Sequence, residues 1–308
     1  MQKPIVFFNP LSDSGKGRIN AERIPGAAGF EFADITEPDS FSRIAEAAAD
    51  GRRIIICGGD GTLNRFANRL RDENFPVPDD LFYYATGSGN DFLKDIGARP
   101  GSEPVRLAPY LASLPTVTVG GEERLFINGV GFGIDGYCCE VGDRYRAEGR
   151  KKTDYTAIAL RGLFGDYTPR DAEITVDGKT CSYEGVWLAP IMNGRYFGGG
   201  MMPAPDQDRL DPEGMLTLML FCGKGRLATL IKFPRLFRGT HTGLRDCHIF
   251  KGHEITVKYA VPTALQVDGE TVPGALECRC LSSGLRRTLG ALTAAPQVLH
   301  FSEERTNE

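Results

Sequence analysis

The chain lacks any apolar run approaching the roughly 18 to 20 residues that a membrane-spanning helix needs. It also lacks a positive excess: 36 Lys and Arg stand against 40 Asp and Glu, for a net charge of −4. No global basic field therefore draws it to nucleic acid. Its eight cysteines are scattered, and no Cys-x-x-Cys pair has a second pair at zinc-binding spacing. Met1-Gln2-Lys3 leads directly into a short strand, without the apolar region of a signal peptide. There is no internal repeat and no low-complexity stretch. Together these absences predict a reduced, cytosolic, soluble chain with no transmembrane segment, in contact with a membrane only at its surface.

What is present is ordinary globular composition, 41% hydrophobic and 25% charged, over 308 residues. That length accommodates two domains with their own cores. Positive charge is gathered locally at Arg144, Arg146, Arg150, Lys151 and Lys152, and again at Lys232, Arg235 and Arg238. Either group could meet an anionic membrane, although a solvated face is the commoner meaning of such runs.

Up to about residue 120 the signals alternate strand and helix. Residues 5–8, 30–35, 54–57 and 81–84 read as strands, and 39–50 and 62–72 have helical spacing. This rhythm predicts a mostly parallel sheet covered on both faces. From Thr116 the strand-like segments dominate: 116–119, 124–128, 172–176, 181–192, 215–222, 247–250, 254–259, 264–267 and 276–281. Turn signals such as Asp177-Gly178 separate them, and helices are expected at 154–164 and 225–238. The expected domains are a doubly wound α/β unit at 1–120, an antiparallel β-sandwich with a helical insert at 121–285, and a closing segment at 286–308.

Three glycine-rich stretches follow buried-strand signals in the first unit. They are Asn9-Pro10-Leu11-Ser12 with Gly15-Lys16-Gly17, then Gly58-Gly59-Asp60-Gly61-Thr62, then Gly87-Ser88-Gly89-Asn90-Asp91. Such loops, at the carboxyl ends of parallel strands, are where α/β sheets bind ligands. Glycines let backbone N–H groups approach phosphate oxygens, and a following helix N-terminus adds a favourable dipole. Asp60 projects from a strand end, where phosphoryl transfer needs a carboxylate near its metal. Thr62 is placed to cap its helix or bond a phosphate, and Asp91 to act in the site or cap the helix from Phe92.

In this order and spacing the loops resemble the diacylglycerol kinase catalytic-domain superfamily of soluble bacterial lipid kinases, related to sphingosine and ceramide kinases. The resemblance continues through Phe126-Ile127-Asn128-Gly129, Gly131-Phe132-Gly133-Ile134-Asp135, Asn193-Gly194, Gly198-Gly199-Gly200, Pro203-Ala204-Pro205, Gly239-Thr240-His241 and Val267-Asp268-Gly269-Glu270. It implies an NAD-kinase-like first domain, ATP and Mg2+ as cofactors, and a lipid acceptor at a membrane surface, most simply diacylglycerol. It implies nucleotide contacts from Asn9, Pro10, Leu11, Ser12, Asp13, Thr36, Gly58, Gly59, Asp60, Gly61, Thr62, Asn64, Ser88 and Asn90. Glu270 is implied as the catalytic base with Asp91 in support, and Asp135 as a lipid contact. Metal contacts are implied at Asp60 and, for a structural magnesium, at Leu210, Glu213 and Met215. The segment Pro296 to Phe301 is implied to return to the first domain, and a homodimer is allowed for.

The sequence departs from that pattern in four places. Arg65 stands where an acid usually follows Asn64. Val117-Thr118-Val119-Gly120 lacks the aspartate that partners the base. Leu210-Asp211-Pro212-Glu213-Gly214 replaces an Asp-Asp-Gly turn, and Glu213 is one methylene longer than aspartate while magnesium demands near-ideal geometry. Ser88 takes a usual threonine position. Two alternatives stand beside the lipid kinase. An NAD kinase shares Gly-Gly-Asp-Gly, but its Thr-Pro-Thr-Gly-Ser-Thr-Ala stretch is absent, Ala85-Thr86-Gly87-Ser88-Gly89-Asn90-Asp91 standing in its place. A lipid- or nucleotide-binding regulatory protein with weakened catalysis would account for Arg65 and Thr118.

Overall fold

The computed structural model describes residues 2–286, except 88, 151–153 and 224. Ser88, Lys151, Lys152 and the closing segment with Pro296 to Phe301 lie outside the described residues.

The first sheet contains β1 (Ile5–Phe8), β2 (Glu31–Asp34), β3 (Ile54–Gly58), β4 (Leu81–Ala85) and β5 (Val105–Arg106), in the order β2-β1-β3-β4-β5. The first four run parallel and β5 pairs antiparallel to β4. Every residue of β1 and β3 is buried, as continuous apolar strands covered on both faces should be. Alternate residues serve the two faces. Ile5, Phe7, Ile54 and Ile56 pack with Phe41 and Ile44 of the helix Ser40–Ala49 and Leu63, Phe66 and Leu70 of the helix Asp60–Asp72. Val6, Phe8, Ile55 and Cys57 pack with Ala21 and Ile24 on the other side.

The second sheet has nine strands: β6 (Thr116–Val119), β7 (Glu122–Leu125), β8 (Gly129–Gly133), β9 (Arg170–Val176), β10 (Lys179–Met192), β11 (Leu216–Cys222), β12 (Cys247–Gly252), β13 (Glu254–Val267) and β14 (Glu270–Leu281). All its pairings are antiparallel. The two 14-residue strands, β10 and β13, each pair with β9 along one half and β8 along the other. Register shifts at Tyr183/Val186 and Lys258/Thr263 allow the bend. The sheet thereby folds into the expected sandwich around Phe132, Ile174, Leu218 and Tyr259.

Three differences from expectation have physical causes. β6 pairs with β14, so the second sheet begins at Thr116. Residues 126–128 are not a strand, because the Asp268 carboxylate accepts the N–H groups of Ile127, Asn128 and Gly129. A helix, Ile134–Ala147, follows β8 where the glycine-rich sequence offered no helical signal. Its entry is Gly133 at φ 112, where a Cβ would stand 2.4 Å from the Trp187 carbonyl oxygen. The helices at Tyr155–Arg161, Arg226–Lys232 and Pro234–Arg238 form the insert on the outer face. Among the described residues no helix is long and apolar enough to cross a membrane.

Candidate active site

β1, β3 and β4 end on one edge of the first sheet, and the strand order reverses between β1 and β3. That edge is the switch point where open α/β sheets bind ligands, and all three glycine loops meet there. Asn9 leaves β1 buried; its Nδ2 donates to Thr62 Oγ1 at 3.0 Å and its Oδ1 accepts the Leu11 N–H. Thr62 thus ties the first loop to the second and does not cap its helix. Ser12 N–H donates to the Asn9 carbonyl, Asp13 accepts from Asn20, and Leu11 projects into solvent beyond Pro10. Thr36, past the end of β2, is exposed and bonded to Asp34. The loops approach so closely that a Cβ on Gly87 would lie 2.6 Å from the Gly59 Cα.

Asp60 opens the helix Asp60–Asp72 after Gly58 and Gly59, ahead of Gly61. One carboxylate oxygen accepts the Asp91 N–H at 2.8 Å; the other is buried without a partner. Burial, reinforced by the charges of Asp91 and Asp268, pushes its carboxyl up to about 7. Asp91 is also raised, chiefly by burial. Its Oδ2 accepts the Gly199 N–H of the second domain at 2.8 Å, so it bridges domains and caps no helix. Two further oxygens in these loops are buried and unpartnered, Thr86 Oγ1 and Asn90 Oδ1. Orphan buried polar atoms concentrated in one place point to a missing ligand.

Asp268, to which the resemblance assigns no role, lies in the turn just past β13. Besides the three backbone N–H groups it accepts Asn64 Nδ2 at 2.7 Å. Burial still raises it above the usual carboxylate range against those bonds. Asn64 also donates to the Leu125 carbonyl, so its amide is committed to joining the domains. Its neighbour Arg65 reaches Glu270, with Nη1 3.0 Å from Oε1 and both side chains exposed. The departure at position 65 therefore falls directly on the expected base.

A second bridge was not legible in the sequence. Asp95, from the helix Asp91–Asp95, is buried between Arg195 (2.8 Å) and Arg209, and Arg209 also donates to Asn128 Oδ1. These three residues carry no motif and meet only through the fold.

Asp135 is buried at the start of Ile134–Ala147, and burial pushes its carboxyl up to about 7. Its Oδ2 meets Gln266 Nε2 at 3.5 Å; its Oδ1 has no partner, nor do the buried hydroxyls of Tyr167 and Tyr259, both of which feel its charge. Gln266 Oε1 in turn accepts the Gly269 N–H, tying Asp135 to the Asp268–Glu270 turn. His241 is fully buried against the Pro203 carbonyl, a core histidine.

Among the described residues, no three His, Cys, Asp or Glu side chains are grouped to hold an ion by themselves. Asp60 and Asp91 nevertheless suit magnesium, which usually takes one or two carboxylates and completes its shell with water and substrate phosphates. The unpartnered Asp60 oxygen is available for that. The turn at 210–215 fits less well. Asp208 and Asp211 accept the N–H groups of Leu210 and Glu213, Met215 gives its carbonyl to Gln207, and the Glu213 side chain lies in solvent.

A doubly wound α/β domain is joined to a β-sandwich, with acids and glycine loops where the two meet, an arrangement consistent with a two-domain phosphotransferase. Residues 3–113 match the diacylglycerol kinase catalytic domain, and residues 128–286 match the YegS C-terminal NAD kinase beta sandwich-like domain. The chain belongs to the diacylglycerol kinase family of lipid kinases. It is 30% identical to a diacylglycerol kinase of Bacillus subtilis over 288 residues, covering 88% of this chain and 90% of that one. With a diacylglycerol kinase of Mycobacterium tuberculosis it shares 24% over 271 residues, 83% and 85% of the two chains. A crystal structure of a diacylglycerol kinase from Bacillus anthracis superposes with a TM-score of 0.58 at 20% identity, covering 92% and 94%.

Proposed function

We propose that this kinase transfers the γ-phosphoryl group of ATP to the free hydroxyl of diacylglycerol, with Mg2+. The observation that carries the reading is the unpartnered Asp60 oxygen beside Thr86 Oγ1 and Asn90 Oδ1, where three strand-end loops converge. The phosphates lie over those loops, received by the backbone of Asn9 to Asp13 and Gly58 to Gly61. Asp60 and Asp91 would hold Mg2+, which would supply charge neutralisation for the terminal phosphates. Asp268 and Asn64 fix the second domain against the first, so that acceptor and donor are held in line.

Glu270 takes the proton from the attacking hydroxyl. The ion pair with Arg65 occupies one of its oxygens, but exposed pairs are worth only about 0–1 kcal/mol. An entering lipid hydroxyl can therefore compete for the carboxylate, and Arg65 is free to turn to a phosphate. Asp135, Tyr167 and Tyr259 offer unpartnered polar atoms in an otherwise apolar interior, suited to the ester and glycerol oxygens of the lipid. Purified protein should phosphorylate diacylglycerol in mixed micelles with Mg-ATP, followed by transfer of labelled phosphate. Labelling of another lipid in place of diacylglycerol would reassign the substrate. The Arg65–Glu270 pair favours one rival, a nucleotide- and lipid-binding protein with weak turnover; ATP binding without transfer to any lipid would establish it.

A further inference from the structure

The helical insert buries Ile158, Leu163 and Leu236 but turns other large apolar side chains outward. In Arg226–Lys232, Leu227 and Ile231 stand one turn apart on one face at 70% and 69% exposure, while the buried position is Thr229. A helix that only covered a sheet would show the reverse polarity. Phe164, 70% exposed, lies in the turn after Tyr155–Arg161. The Arg226 guanidinium clamps the two segments together by donating to the carbonyls of Gly162, Leu163 and Tyr167. Single exposed leucines mean little, but a group of this kind marks an interaction surface.

Charge identifies the occupant. Arg235 and Arg238 are exposed beside this group on Pro234–Arg238, and no ion pair occupies either among the described residues. The nearby cations that are paired are Arg161 with Asp166 and Lys232 with Asp246. On a chain whose net charge is −4, apolar tips flanked by unpaired arginines complement an anionic bilayer, where such side chains enter the headgroup boundary. The insert also adjoins the site. The Leu236 carbonyl accepts the Met202 N–H, and the same Gly198–Met202 loop donates from Gly199 to Asp91.

The geometry points to Phe164, Leu227 and Ile231, with Arg235 and Arg238, as the surface that docks this kinase on an anionic membrane, the source of its lipid acceptor. The surface deepens the lipid kinase reading and rests on it.

The test is co-sedimentation with equimolar phosphatidylglycerol–phosphatidylcholine vesicles and with phosphatidylcholine vesicles alone. Wild type should prefer the anionic vesicles. The double variant Leu227→Ser/Ile231→Ser and the double variant Arg235→Gln/Arg238→Gln should each bind them about tenfold more weakly or worse. Both should keep the wild-type melting midpoint and wild-type turnover of a short-chain diacylglycerol dispersed as monomer. Undiminished vesicle binding in both variants overturns the proposal. So does a wild-type dimer in analytical ultracentrifugation that Leu227→Ser/Ile231→Ser dissociates, because the surface is then self-associating. If wild type phosphorylates no lipid while the variants lose vesicle binding, the docking surface stands and the kinase substrate reading fails.

Discussion

Asp60 and Glu270 sit in contrasting surroundings. Asp60 is half-buried, raised to about 7, and held by the Asp91 backbone with its other carboxylate oxygen enclosed and unpartnered. Glu270 is 44% exposed on a β-turn and paired with an arginine that is itself 64% exposed. The Asp60 side is thus built in advance, with strand ends, close-packed glycines and a desolvated carboxylate. The acceptor side is held by a contact that water can replace. On the proposed reading, a donor site of fixed shape would stand beside an adjustable acceptor site.

That contrast can be broken most severely at Asp60. Asp60→Ala should abolish Mg-dependent ATP binding in calorimetry, and turnover with it, while the fold survives. The loss should exceed the roughly 10²–10⁴-fold typical of a missing general base; unchanged Mg-ATP affinity would remove Asp60 from the site. Glu270→Gln should reduce turnover within that roughly 10²–10⁴-fold range and leave ATP affinity almost unchanged, since the carboxamide keeps the shape but takes no proton. Near wild-type turnover would place the base elsewhere.

Asp95 probes the joint between the two walls. Asp95→Ala strands Arg209 without its buried carboxylate and should cost about 3–5 kcal/mol in denaturant unfolding. A cost within the exposed-pair range of about 0–1 kcal/mol would show that the bridge is dispensable.

The raised Asp60 carboxyl also gives the ligand-free protein a pH signature. Its raised folded-state affinity for a proton means that the folded chain retains a proton the unfolded chain has lost. Between the ordinary carboxylate value of about 4 and about 7, stability should therefore fall as pH rises. Asp60→Asn should flatten that fall and raise the melting midpoint near pH 8 by about 2–4 °C for each kcal/mol relieved. An unaltered pH slope would assign the titration to other groups. The smallest effect is expected for Arg65→Ala: a few-fold change in lipid turnover at most, because the pair it breaks is exposed, at about 0–1 kcal/mol. A gain in turnover would show that Arg65 restrains the base.

Much of the first domain was readable element by element, because β1, β3 and β4 are short unbroken apolar runs and its helices keep 3.6-residue spacing through Phe41, Ile44, Leu63, Phe66 and Leu70. Reading was harder where polar groups override local preference. Residues 126–128 are strand-like by composition, yet Asp268 draws their N–H groups out of any ladder. The helix Ile134–Ala147 begins among glycines that signal a turn. The three loops announced themselves because their glycines recur at strand ends, at fixed places along the chain. The residues that complete the site did not, since Asp95 with Arg195 and Arg209, and Gln266 with Asp135, lie about a hundred or more positions apart.

The sequence alone therefore determined the plan of an α/β unit followed by an antiparallel β unit, and the placing of three glycine loops at strand ends, because each depends on residues adjacent along the chain. Only the tertiary structure decided that Arg65 meets Glu270, that Asp91 bonds Gly199 across the cleft, and that Phe164, Leu227 and Ile231 share one outer surface. Those pairings follow from how two sheets and an insert pack. Packing is a property of distances in space that neither composition nor periodicity encodes locally.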